Sequence, residues 1–189
     1  MTLSRHISRR PSRRLALPAL ALAAAASLTA CGGGGAALGE ERTQTLQTDG
    51  SVTNQPDRSG DLTATLVSIE KATEEQKATM DTLYPEDNQK AAAYLLRWRY
   101  TNASGGNFGG ATLSSELGLL DGLTSDGELI ESAIDTSGIC EAGQAPESFS
   151  EQGATVEVCM PVFTDGEEIT GGVWRPQTAE PLTEERWQQ

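Results

Sequence analysis

Between Ala92 and Asn102 the chain reads AAYLLRWRYTN, with bulky apolar residues at every second position. Tyr94, Leu96, Trp98 and Tyr100 fall on one face of an extended segment, and Arg97, Arg99 and Thr101 on the other. A side-chain period of two belongs to a half-buried β-strand, and the apolar face needs a second layer to cover it. Five further stretches alternate in the same way. They are Leu62–Lys71, a pair (Glu116–Asp121 and Glu128–Glu131) around the turn signal Ser125-Asp126-Gly127, Ala154–Phe163, and Ile169–Trp174 after Thr164-Asp165-Gly166-Glu167. Only Lys71–Leu83 breaks the pattern, and there Thr73-Glu74-Glu75-Gln76 has the form of a capping box, predicting one or two helical turns. The sequence therefore predicts an all-β chain: an antiparallel β-sandwich of about six to seven strands over residues 61–175.

The N-terminus follows a different logic. Arg5 to Arg14 form a basic stretch, and Leu15 to Ala26 (LALPALALAAAA) is an apolar run. That run has the length of a signal-peptide core and is too short to cross a hydrocarbon layer of ~30 Å as a helix. Leu28-Thr29-Ala30-Cys31 comes next. This resembles the lipobox of bacterial lipoproteins, in which two small residues admit a peptidase and the cysteine sulfur takes a diacylglyceryl group. The resemblance implies that residues 1–30 are a removed signal peptide and that Cys31 anchors the mature chain to the cell membrane, facing the extracytoplasmic side. The bland alternative is a secretory signal followed by a chance cysteine. Ser8-Arg9-Arg10 and Ser12-Arg13-Arg14 leave twin-arginine export open beside the general route.

The chain has three cysteines. If Cys31 carries the lipid, Cys140 and Cys159 remain as a pair, and thiols beyond the membrane tend to oxidise. A Cys140–Cys159 disulfide is the expectation, with two buried free thiols as its alternative. A zinc site on this pair would need carboxylates as its remaining ligands, because no histidine is at hand.

The flanks of the expected domain are polar. Residues 31–60 begin with Cys31 and four glycines and continue in Gly, Thr, Gln and Asp, which reads as a lipidated N-terminus and flexible tether with a root-mean-square span of ~30 Å. Residues 176–189 read as an acidic tail, with Trp187 either docked on the domain or free.

Several motifs together resemble the uncharacterised immunoglobulin-like domains that follow lipoprotein signals in many Gram-positive bacteria. These are Trp98-Arg99-Tyr100-Thr101-Asn102, Thr124-Ser125-Asp126-Gly127, Ser150 to Val156 around Gly153, and a closing strand after Asp165-Gly166. A cysteine before the Gly153 motif and another within the following strand match Cys140 and Cys159. The resemblance implies an immunoglobulin-like fold and an extracytoplasmic location, and it brings no catalytic residues.

Charge and composition narrow the chemistry. The chain holds 14 Lys+Arg against 27 Asp+Glu, for a net −13. All five basic residues of the first thirty lie in the signal, so the mature part is more acidic still. Nucleic acid is excluded as a partner, because phosphate contacts need basic clusters. The single histidine, His6, also lies in the signal, which removes Ser-His-Asp catalysis. Asp121, Asp126, Glu128, Glu131 and Asp135 are the candidate calcium ligands, although their spacing does not match a calcium loop of the EF type. Trp98 and Tyr100 are core residues or, on a sharper reading, a sugar-binding platform. The expectation is a non-enzymatic, membrane-anchored interaction domain for a protein or envelope component, with no cofactor and no metal. The alternative is a small-ligand or calcium-binding accessory lipoprotein.

Overall fold

A computed structural model of the chain describes residues 35–48, 56–83, 89–133, 137–140, 143–176 and 183–189. Residues 1–30, read as a signal peptide, and Cys31 lie outside these residues. The described strands are β1 (Ala36–Ala37), β2 (Glu41–Thr48), β3 (Arg58–Lys71), β4 (Ala92–Asn102), β5 (Leu119–Thr124), β6 (Leu129–Ile130), β7 (Thr155–Thr164), β8 (Ile169–Arg175) and β9 (Glu185–Gln188). They form two sheets, one of order β1-β9-β8-β5-β6 and one of order β2-β3-β4-β7. Every pairing is antiparallel except β1 with β9. The architecture is the expected β-sandwich, with nine described strands where six or seven were read.

The alternation in β4 predicts its orientation correctly. Leu96, Trp98 and Tyr100 are fully buried, and they join Leu62, Leu66, Val158, Met160 and Val162 in the layer between the sheets. Trp174 and Trp187 reach into the same layer from the other sheet. Trp187 meets Trp98 edge-on, with ring centroids 5.2 Å apart and planes at 90°, an arrangement aromatic quadrupoles favour. The opposing β8 carries Gly171-Gly172 at this point because there is no room for more. A Cβ on Gly172 would stand 2.7 Å from the Trp98 ring, and one on Gly171 only 2.2 Å from the Trp187 carbonyl oxygen.

Helix α1 (Glu74–Asp81) starts at the expected capping box. The Gln76 N–H donates to Thr73 Oγ1 (3.2 Å) and the Thr73 N–H to Gln76 Oε1 (2.9 Å). Its buried Met80 lies on the outer face of the second sheet, in a smaller apolar cluster with Ala93, Leu95, Cys140 and Cys159.

Two expectations about the flanks are corrected. Ala36–Ala37 and Glu41–Thr48, read as part of the tether, are paired strand. All eight residues of β2 are in register with β3, from Glu41 opposite Thr65 to Thr48 opposite Arg58, and Leu46 is fully buried. A polar edge strand gives little hydrophobic signal, since one buried Leu and the neighbouring backbone suffice to hold it. The tail is corrected for the same reason. Glu185–Gln188 pairs with both β8 and β1, and Trp187 docks rather than hanging free. The folded unit therefore runs beyond residues 61–175 at both ends. The pair around Asp126-Gly127 is also displaced: β5 keeps six residues but begins at Leu119, with Glu116 held in a turn by buried Arg58, and β6 is only Leu129–Ile130.

The sandwich is closed along both sides. On one side the Trp187 indole N–H donates to the Glu40 carbonyl (2.8 Å), and Gln44 donates to Glu185. On the other, Ser132 forms a bridge with Val162 and the Ala133 N–H donates to the Pro161 carbonyl (2.9 Å).

Candidate binding face

The outer face of the second sheet carries the richest arrangement of polar groups. Residues on one face of neighbouring strands line up in rows. Thr43 of β2 lies opposite Thr63 of β3, Thr63 opposite Thr101 of β4, and Thr101 opposite Thr155 of β7, so four threonines cross the whole sheet. The next row is Glu41, Thr65, Arg99 and Glu157, and beyond it Arg97 lies opposite Cys159.

Side-chain contacts run along and between these rows. The Thr43 and Thr63 hydroxyls are 2.6 Å apart, and the Thr45 hydroxyl donates to Asp61 Oδ1 at 2.6 Å. Arg99 Nη2 lies 2.7 Å from Glu157 Oε1, and Arg97 Nε lies 3.4 Å from Glu70 Oε1. These pairs are well exposed, Glu157 at 63%, and exposed pairs contribute about 0–1 kcal/mol at most. Stability does not explain them. They present alternating charge to solvent and can exchange partners at low cost.

Beside the rows lies the disulfide. The structure joins Cys140 to Cys159 with their Cα atoms 5.0 Å apart. As the alternation predicts, Cys159 faces away from Val158 and Met160, on the outer side of β7. The bridge pins the segment before it onto the sheet, and an open hollow of about 300 Å³ remains there, lined by Arg97, Gly138, Ile139, Glu157, Val158 and Cys159. The two cysteines are 19 residues apart, for which the loop-entropy relation gives about 3 kcal/mol of stabilisation. Reduction is expected to lower the melting temperature by about 6–12 °C at ~2–4 °C per kcal/mol for a unit of this size. Thiol titration after denaturation without reductant is expected to find neither Cys140 nor Cys159, and recovery of both as free thiols would remove the bridge.

The acidic set is not brought together. Asp121 is buried, accepts from the Ser132 N–H (3.0 Å) and is ion-paired with Arg175. Asp126 sits in the turn between β5 and β6, and Asp135 lies outside the described residues. Among the described residues no three of His, Cys, Asp or Glu form a group able to hold a metal ion. Trp98 and Tyr100 are fully buried and are core residues rather than an exposed platform. Burial also pushes the Tyr100 phenol well above its ordinary pKa.

Asn102, which closes the motif Trp98–Asn102, organises the end of the sandwich. Its side-chain amide donates to the carbonyls of Gly106 (2.7 Å) and Phe149 (2.8 Å) and accepts from the N–H groups of Gly105 and Gly106 (both 2.9 Å). That role is structural. The threonine row is the feature that sequence reading missed. Its only trace is the repeated Thr-x-Thr at 43/45 and 63/65, and nothing local says that these repeats become neighbours.

The chain is thus a two-sheet β-sandwich, disulfide-braced on the outside of one sheet. No family model matches it, and no curated protein aligns with it significantly. Among solved structures it is similar to a secreted protein from Mycobacterium tuberculosis, MPT63. The match has a TM-score of 0.49 and 14% sequence identity, and covers 81% of this chain and 95% of that one.

Proposed function

We propose that the chain is a lipid-anchored, extracytoplasmic binding protein with no catalytic activity. Cys31 holds it to the cell membrane, and the threonine and ion-pair rows of the second sheet engage a polar component of the cell envelope. The observation that carries the location is the Cys140–Cys159 bridge, since a structural disulfide belongs to an oxidising compartment, and the lipobox-like Leu28-Thr29-Ala30-Cys31 supports the same reading. The face is supported by its chemistry. Thr63 is buried and bonded to Thr43, whereas Thr101 and Thr155, on strands about 4.8 Å apart and beside Arg99 and Glu157, offer donors and acceptors to a polyhydroxylated ligand such as an envelope glycan.

Two measurements test the reading. Cys31→Ala is expected to abolish acyl labelling and move the protein from the detergent phase to the aqueous phase, because two or more acyl chains anchor stably where one does not. Unchanged labelling and partition would end the lipoprotein reading. In co-sedimentation of this soluble variant with purified envelope glycan, adding Thr101→Val and Arg99→Ala is expected to weaken binding about tenfold or more, as two polar contacts are lost. Equal sedimentation of both forms would assign binding elsewhere.

A further inference from the structure

We infer that the flank formed by β1, β9 and the start of β2 lies against the phospholipid headgroups of the membrane that anchors the chain. The inference rests on the lipid anchor at Cys31 and on where the fold begins. Only Gly32 to Gly35 separate Cys31 from Ala36, and Ala36 is already buried and paired with Trp187. Five residue steps span at most ~18 Å when fully extended. The ~30 Å tether read from residues 31–60 is therefore not available, because the chain is already paired into the fold from Ala36 onward.

The geometry selects which side approaches. In its sheet β1 is the edge strand, and β6 forms the opposite edge four strand spacings away, or ~19 Å. An anchor leaving from β1 draws that edge toward the bilayer and leaves the β5–β6 turn with Asp126 on the far side. The flank itself carries both signs of charge. Arg42 lies between Glu40 (3.1 Å) and Glu185 (3.8 Å), and Arg186 pairs with Glu184 (2.5 Å). In a strongly acidic chain this local mixture limits repulsion from phosphate and complements zwitterionic headgroups. The outer face of the second sheet is thereby left open to the envelope.

The test uses the lipidated full-length mature protein in phosphatidylcholine vesicles, beside a variant with about 20 Gly/Ser residues inserted after Gly33, long enough to add ~25 Å of random coil. Carboxylates are labelled with a water-soluble carbodiimide and a bulky amine, and the sites are read by mass spectrometry. Labelling of Glu40, Glu41, Glu184 and Glu185 is expected to be about threefold or more lower in the natural chain than in the extended one, as the short reach restricts reagent access. Asp126 and Asp165 are expected to label equally in both. Equal labelling of the flank, with both proteins in the vesicle pellet, would overturn the inference and leave the anchor standing. A natural chain that carries no acyl group and stays out of the pellet would overturn the anchor, and the apposition with it.

Discussion

Replacing Trp187 with alanine is expected to destabilise the protein by about 3–5 kcal/mol, the range for truncating a large buried aromatic. The residue is fully buried within the last strand, edge-on against Trp98. Its indole N–H satisfies the Glu40 carbonyl at 2.8 Å. Truncation opens a cavity in the layer between the sheets, because Gly171 and Gly172 offer no side chain to fill it. It also loosens the β1–β9–β8 pairing that Trp187 centres, with partners Ala36 and Gly172. At ~2–4 °C per kcal/mol the melting temperature should fall by about 6–20 °C, and urea unfolding should show the same loss in midpoint. Trp187→Phe keeps an aromatic ring and is expected to cost markedly less. A Trp187→Ala protein within about 1 kcal/mol of wild type would mean that the C-terminal strand does not complete the core.

The second large effect is expected at Arg58. Its guanidinium is 5% exposed. It donates through Nε to Glu116 Oε1 (3.1 Å) and through Nη1 to the carbonyls of Asn107 (2.9 Å) and Gly109 (2.8 Å). Arg58→Ala leaves the mostly buried Glu116 carboxylate unpaired and two carbonyls unsatisfied, and removing one partner of a buried pair costs about 3–5 kcal/mol. The pair also titrates. Burial works against the Glu116 carboxylate, and the Thr112 N–H followed by the hydrogen bond and charge of Arg58 outweigh it, so its pKa lies below the ordinary 4.5. A carboxyl with a lowered folded pKa adds stability at pH values above its unfolded value and loses that stability as the pH falls through the folded one. Wild type should therefore lose stability below about pH 4.5 more steeply than Glu116→Gln, which lacks this titration. Parallel stability curves for the two proteins between pH 5 and pH 2 would detach Glu116 from acid sensitivity.

What the sequence determines is local. The strict alternation of Tyr94, Leu96, Trp98 and Tyr100 commits β4 to one buried face, and the same rule orients Cys159 away from Val158. The capping box starts α1 at Thr73, because both of its hydrogen bonds lie within four residues. Asp-Gly turns mark where strands reverse. These features depend on neighbours in the chain, so one sequence suffices to read them. The resemblance of Leu28-Thr29-Ala30-Cys31 to a lipobox is of the same kind, four adjacent residues after an apolar run. What the tertiary structure decides depends on partners far away in the chain. Glu41–Thr48 carries one buried Leu and no apolar stripe, and it is a strand only because β3 offers a free backbone edge. Trp187 looked free or docked with equal reason until Trp98 and the Gly171-Gly172 gap placed it. The threonine row needs four strands in register, and Thr43, Thr63, Thr101 and Thr155 span more than a hundred residues of sequence. Burial, backbone pairing and register are properties of the assembled sheets, and they turned the polar stretch after residue 35 and the acidic tail into three strands of the sandwich, β1, β2 and β9.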